Sequence, residues 1–317
     1  MPTSLATGLH LALGFLPLTL SSGPNPYATI QQGLVAWWEF TEAADQDKDS
    51  EVSPNISLQR INNPNRKTDS ILGDGSVGQF TPDKALYLPK TSGLLGALEF
   101  PGNVFSFSCW VKAFDNEFGA LFGIYDFSGN NNRAWGLLKQ NSGAGSNATL
   151  IVSEDGLFNE NNVASTNDSL FLLNQETWIF LDGFFDNGTA GIAVNGGAYN
   201  IVETTAQVLY QGANQGGNDT PFMVGARSNG GTATVSNSNI HVDQLVLWNR
   251  MLTPAERILL WNGGSGNTLA QIQEARLLQN LTSLGIEGLN GQLYLKPDGI
   301  GVYLKPDGQS VYLKPGS

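Results

Sequence analysis

Residues 240–264, IHVDQLVLWNRMLTPAERILLWNGG, constrain the fold of this chain more than any other stretch. Residues 240–248 read as a strand that becomes apolar on both sides at Leu245, Val246, Leu247 and Trp248. That is the pattern of a strand buried inside a sandwich. A short turn follows, and then a helix with its start written into the residues. Thr253 is the N-cap, Pro254 takes the first helical position, and Glu256 completes a Thr-x-x-Glu capping box. Gly263 and Gly264 stop the helix. What surrounds this unit decides the fold, and the fold alone does not give a function.

The surroundings are strands and turns. Residues 33–40, GLVAWWEF, open the series. Residues 104–112 alternate most cleanly: Phe105, Phe107, Cys109 and Val111 point one way, and Ser106, Ser108, Trp110 and Lys112 the other. This predicts an antiparallel strand with one buried face. Residues 78–80 and 85–88 look like a hairpin around Thr81-Pro82-Asp83. Residues 119–125, 134–139 and 148–153 are further strands between Asn, Gly and Ser clusters. Residues 178–186 and 190–195 flank Asp186-Asn187-Gly188, a strong tight-hairpin signal. Short strands and turns throughout residues 33–250 predict an all-β, two-sheet antiparallel sandwich or jelly roll.

Composition agrees with this reading and closes off other classes. The 317 residues hold one large β domain plus appendages, and 38 glycines suit many turns. A net charge of −12 makes the chain a poor partner for nucleic acid or an anionic membrane. Lys and Arg are scattered without interleaved aromatics, so nucleic-acid reading has no support. Cys109 is the single cysteine, so no intrachain disulfide forms, and in an alternating strand it reads as a buried thiol. The apolar run at residues 9–20 is too short to span a bilayer and lacks a basic segment before it. Residues 1–32 are therefore expected to be an unprocessed, extended arm that orders against a neighbour.

Four segments together resemble the laminin-G-like, concanavalin-A-like jelly rolls also seen in pentraxins. They are GLVAWWEF, FSFSCWVK, the hairpin from Trp178 to Gly196, and VDQLVLWNRMLTPAERILLWNGG. Asp243, Trp248, Asn249, Arg250, Leu252, Thr253 and Glu256 follow the order in which that family closes its domain. The resemblance covers about residues 33–264 and implies two curved antiparallel sheets packed face to face. It also implies that calcium, where such domains bind it, sits in loops at one rim.

Beyond the domain, residues 268–284 predict a helix, and residues 265–285 a helical connector. Its stripe of Leu269, Ile272, Ala275, Leu278 and Leu281 packs back on the sandwich or serves self-association. Residues 286–317 carry a nine-residue repeat in which Tyr294, Tyr303 and Tyr312 recur ahead of Lys-Pro turns. So small a unit cannot bury its own apolar face. It is expected to pair with other copies as a repetitive β tail, in a trimeric or intertwined stem. The tail resembles short repeats on some tailed-phage proteins.

Catalytic signatures are missing. His10 and His241 are the only histidines, and no Gly-x-Ser-x-Gly elbow is present. Glycanases of the concanavalin-A-like fold resemble one another in a Glu-x-Asp-x-(x)-Glu strand; here no such strand occurs, and residues 178–185 carry only the isolated Asp182. Asp45, Asp47, Asp49 and Glu51 alternate after the first strand as a candidate Ca²⁺ loop, against the alternative of a solvated acidic loop. Tyr125 and Trp135 flank an Asn-rich loop and are the candidate sugar-stacking aromatics, against the alternative of core packing.

The resulting expectation is a non-enzymatic virion surface protein, a capsid decoration or fibre component. It docks on virion proteins and on itself through arm and tail, and displays the jelly roll for adhesion to a surface glycan. The alternatives are a secreted, extracellular lectin-like module and a glycanase acting through Asp182.

Overall fold

A computed structural model describes residues 25–283, apart from 43–45, 67–68, 73–77, 82, 90–91, 116, 128–131, 142–144, 167–170, 173–175, 212–219, 230–231 and 236–238. The strands, in chain order, are β1 (Leu34–Trp38), β2 (Gln59–Ile61), β3 (Asn65–Arg66), β4 (Gly78–Phe80), β5 (Ala85–Leu88), β6 (Val104–Ala113), β7 (Gly119–Ile124), β8 (Trp135–Asn141) and β9 (Gly145–Val152). They continue as β10 (Val163–Ser165), β11 (Phe171–Leu172), β12 (Ile179–Asp186), β13 (Thr189–Val194), β14 (Asn200–Glu203), β15 (Phe222–Val224), β16 (Ala226–Asn229), β17 (Thr232–Val235) and β18 (Ile240–Trp248). Among the described residues four α-helices accompany them: α1 (Pro26–Thr29), α2 (Leu95–Leu98), α3 (Pro254–Trp261) and α4 (Leu269–Ser283).

Two eight-stranded antiparallel sheets make the sandwich. The clasp sheet runs β14-β13-β12-β6-β18-β4-β3, with β1 also paired to β18. The rim sheet runs β10-β9-β8-β7-β15-β5-β2, with β11 on β9. The β16–β17 hairpin forms its own two-stranded sheet, bridged to the end of β7 through Asp126 and Ser228. Inward side chains from the two sheets form one core, in which Trp38, Phe105, Phe107, Phe122, Trp135 and Leu247 are buried. Burying each such side chain contributes about 1.5–3 kcal/mol.

The predicted strand over residues 104–112 becomes β6, but neither of its faces is solvated. Ser106, Ser108 and Trp110 are buried as fully as the core residues between them. The reason is the clasp. After β18 the chain turns and lays α3 across the outside of this sheet, where Leu259 and Leu260 meet Trp37, Trp110, Phe180 and Trp248. Ser106 then hydrogen-bonds backbone rather than water, donating to the Arg250 carbonyl at 2.7 Å. β18 is buried along its whole length, as its two-sided apolar end requires. The capping box at Thr253 and Glu256 is formed in both directions.

The hairpin predicted at residues 78–88 does not exist. β4 pairs with β18 in the clasp sheet, whereas β5 pairs with β15 in the rim sheet. The turn between them is a crossover from one sheet to the other, with Phe80 and Leu86 both directed into the shared core. By contrast, β12 and β13 form the predicted tight hairpin. Asn187 and Gly188 take φ values of 42° and 104°, as a primed turn requires.

Residues 25–33 lie on the clasp. Residues 26–29 form a helical turn capped by Asn25, not extended chain. Trp248 Nε1 donates to the Ile30 carbonyl at 2.8 Å, and Arg250 Nη2 to the Thr29 carbonyl at 2.7 Å. The remainder of the expected arm, residues 1–24, and the repeat tail of residues 286–317 lie outside the described residues.

Candidate functional site

At one end of the rim sheet, β7 stops, β8 starts and β9 stops side by side, since Ile124 is opposite Trp135 and Trp135 opposite Val152. The chain leaving β9 is pinned by its own polar side chains. The Ser153 hydroxyl donates to the Leu157 carbonyl at 2.8 Å, and the Leu157 N–H donates to Asp155 Oδ1 at 2.9 Å. Gly156 makes this turn at a φ of 85°, which suits glycine. Further on, Asn162 Oδ1 accepts from Thr205 N, Thr205 Oγ1 and Ala206 N at 2.7–3.0 Å. With the backbone held at both ends, Leu157 and Phe158 project outward at 43% and 49% exposure. They line a surface pocket of about 370 Å³ together with Asp155, Asn159 and Glu160.

A second loop is tied to the first. Arg133 donates from Nε to the Asp126 carbonyl at 2.7 Å, and from its backbone N–H to the Gly156 carbonyl at 3.2 Å. The β16 strand fixes the other side, with Phe127 N–H donating to the Ser228 carbonyl at 2.9 Å. Phe127 stands 53% exposed on this support. The Arg227 guanidinium carbon lies 3.7 Å from the Phe127 ring centroid and 4.9 Å from that of Phe118. Burial holds the Arg227 guanidinium below its ordinary pKa, with nearby Tyr125 opposing the shift. The rim therefore combines apolar platforms with carboxylate, amide and guanidinium groups, the set that sugar recognition uses.

The two aromatics expected to form such a site are elsewhere. Trp135 is fully enclosed, its ring 4.8 Å from Phe105 and its indole N–H donated to the Leu98 carbonyl at 2.8 Å. Tyr125 is 6% exposed and lies beneath Arg133, whose guanidinium carbon is 5.2 Å from its ring. Burial raises the Tyr125 hydroxyl above its usual pKa, against the pull of Arg133 and Arg227. Both residues fall on strand alternation, which directs them into packing. Phe127 and Phe158 were missed because they follow strand ends beside Gly and Asn. Large apolar residues immediately outside a strand pattern were the available signal.

Among the described residues, the carboxylates of the acidic loop form no metal-holding group. Asp47 pairs with Arg60 at 3.1 Å, and Glu42, not a cation, receives the Asp49 N–H at 2.5 Å. Glu51 is exposed as a residue, yet partial desolvation of its carboxyl, then the charges of Glu42 and Asp49, raise its pKa. Asp45 lies outside the described residues. Among the described residues, no group of three or more His, Cys, Asp or Glu could hold a metal ion.

Leu269 and Ile272 are 5% and 1% exposed in the cluster beneath α3, so the sandwich of the same chain covers them. Nothing is described of the Leu278 and Leu281 side chains, and Tyr294, Tyr303 and Tyr312 lie beyond the described residues. Asp182 is enclosed, and both its oxygens accept from Arg257. Burial raises its carboxyl above the ordinary value, against the opposing hydrogen bonds and charge of Arg257. Asp243 is buried and accepts from the Ser70 hydroxyl at 2.8 Å. Among the described residues, no helix is long and apolar enough to cross a membrane.

The Laminin_G_3 profile of the concanavalin A-like lectin/glucanases superfamily matches residues 88–256, more than half of the chain. The chain belongs to that family. Among solved structures, the binding domain of botulinum neurotoxin DC in complex with SialylT is similar at a TM-score of 0.51 and 12% identity, over 74% of this chain and 52% of that one. The binding domain of Paraclostridial Mosquitocidal Protein 1 is similar at a TM-score of 0.53 and 13% identity, over 74% and 53%. The chain spans about half the length of these structures, and at such identity the likeness is one of fold. No match is found among the curated proteins.

Proposed function

We propose that this chain is a non-enzymatic binding protein that recognises a surface glycan at the rim formed by Phe127, Leu157 and Phe158. One observation carries the reading. Leu157 and Phe158 are held exposed by a backbone that Asp155 and Asn162 pin from below, over a pocket lined by Asp155, Asn159 and Glu160. Apolar side chains ordered but left uncovered beside hydrogen-bonding groups suit the apolar face and hydroxyls of a pyranose. That the similar solved structures are binding domains supports the same direction. A glycan array probed with the wild-type chain and with Phe158→Ala tests it. Specific binding that the substitution abolishes is expected; an array blank for both chains would refute it.

The proposal extends to context: a tailed-phage virion surface protein, in which residues 1–24 and the nine-residue repeats dock and self-associate while the jelly roll is displayed for adhesion. Its support is the threefold repeat at Tyr294, Tyr303 and Tyr312 and a sandwich that uses no disulfide. Light scattering of the intact chain and of a chain ending at Ser283 checks this part. Oligomers of the first and monomers of the second are expected, and equal masses would contradict it.

A further inference from the structure

Arg227 is the one feature of the rim that the packing of the chain leaves unexplained. Arg60, Arg133, Arg250, Arg257 and Arg276 each donate to a protein oxygen. Arg227 has no such partner among the described residues, and its Nη1 is enclosed without a hydrogen bond. Its guanidinium instead packs against the rings of Phe127 and Phe118, which also touch each other. A partly desolvated cation with one enclosed donor unmet is unfavourable unless something completes it. In a chain with 28 acidic and 16 basic residues, an arginine with neither a carboxylate nor an amide or carbonyl oxygen as partner among the described residues stands out. Phe127 covers this guanidinium and is itself half exposed. A rotamer change of that ring opens the arginine to a ligand, and exposed side chains make such changes readily.

We infer that the glycan bound at this rim is an acidic sugar whose carboxylate is read by Arg227. The inference rests on the rim being a sugar site and adds the class of sugar. A planar guanidinium presents parallel donors that match the two oxygens of a carboxylate. A hexuronate carries that group on a ring with an apolar face, so one residue can engage Phe127 and Arg227 together. A doubly charged phosphate is disfavoured, since a single arginine would have to offset it against the surrounding negative charge.

The test is calorimetric titration of the full chain with three length-matched oligosaccharides, one neutral, one containing hexuronate and one bearing sulfate esters. The hexuronate form is expected to bind at least about tenfold more tightly than the neutral one, as a charged hydrogen-bonded pair provides. Arg227→Gln should bring the two to equal affinity, and a circular-dichroism spectrum matching the wild type shows that the variant is folded. Arg227→Lys, which keeps the charge but not the fork, should fall between. Equal binding of neutral and hexuronate forms by the wild type would overturn the acidic assignment and leave the sugar site standing. Preference for the sulfated form would overturn the carboxylate assignment. No binding of any form would overturn both readings.

Discussion

Arg257 on α3 grips both carboxylate oxygens of Asp182 on β12, from Nε and from Nη2, the latter at 3.2 Å. Nη2 also donates to the Gly197 carbonyl at 2.7 Å, and the guanidinium carbon lies 3.7 Å from the Tyr199 ring. The pair fastens the helix that closes the domain to the middle of the clasp sheet. It also occupies both oxygens of Asp182, the candidate acid of the glycanase alternative.

Removing one partner of this pair leaves a buried charge uncompensated. Arg257→Met is expected to destabilise the chain by about 3–5 kcal/mol in chemical denaturation. Arg257→Met combined with Asp182→Leu should recover most of that loss, because an apolar pair of similar volume replaces the ions. Equal instability of the single and double variants would show that the pair does not act as a unit.

Glu256 joins three elements. It accepts from Arg250 at 2.7 and 2.9 Å, from the Thr29 hydroxyl at 2.6 Å and from the Thr253 N–H at 2.8 Å. Burial pushes its carboxyl up, but the hydrogen bonds and the charge of Arg250 outweigh that and hold it below the ordinary value. A depressed carboxyl contributes stability that is present above the unfolded value, about 4.3, and is lost as pH falls through the lower folded value. Thermal midpoints of the wild type should therefore drop through that acid window. Glu256→Gln should start lower at neutral pH and show a smaller acid drop, so an acid dependence identical to wild type would contradict the assignment.

Gly123 takes a φ of 143°, and a Cβ there would lie 2.5 Å from Gly136 Cα and 2.6 Å from the Trp135 carbonyl. Both contacts are backbone of the neighbouring strand and cannot swing aside. Gly123→Ala should cost at least about 2 kcal/mol through overpacking and backbone strain. Near-wild-type stability in urea would mean that β7 and β8 are further apart than described.

Cys109 is fully enclosed, and burial, with the charge of Asp182 adding, pushes its thiol well above the ordinary value. The native chain should react with Ellman's reagent far more slowly than the urea-unfolded chain at the same pH. Rapid reaction of the folded protein would show that the core opens at β6.

The clasp, the strand β6 and the β12–β13 hairpin were legible because local chemistry specifies each of them. A capping box needs Thr253 and Glu256, a primed turn needs Asn187-Gly188, and alternation marks Phe105 through Val111. Sheet membership was less legible. Phe80 and Leu86 look alike whether β4 and β5 pair or separate, since both arrangements bury the same residues. The outer burial of Ser106, Ser108 and Trp110 was hidden for a related reason: the layer over them, α3, comes from about 150 residues further along the chain. At the rim, Tyr125 and Trp135 drew attention by residue type. Trp135 opens β8 and Tyr125 directly follows β7, so both still point into packing, whereas Phe127 and Phe158 lie further past the strand ends.

The central claim is that the rim binds a glycan, and chemical-shift mapping of the labelled chain with a hexuronate-containing oligosaccharide tests it most directly. The account predicts saturable shifts confined to Asp126, Phe127, the 154–160 loop and Arg227. Shifts clustered around Asp182 and Arg257, or none at saturating sugar, would contradict it.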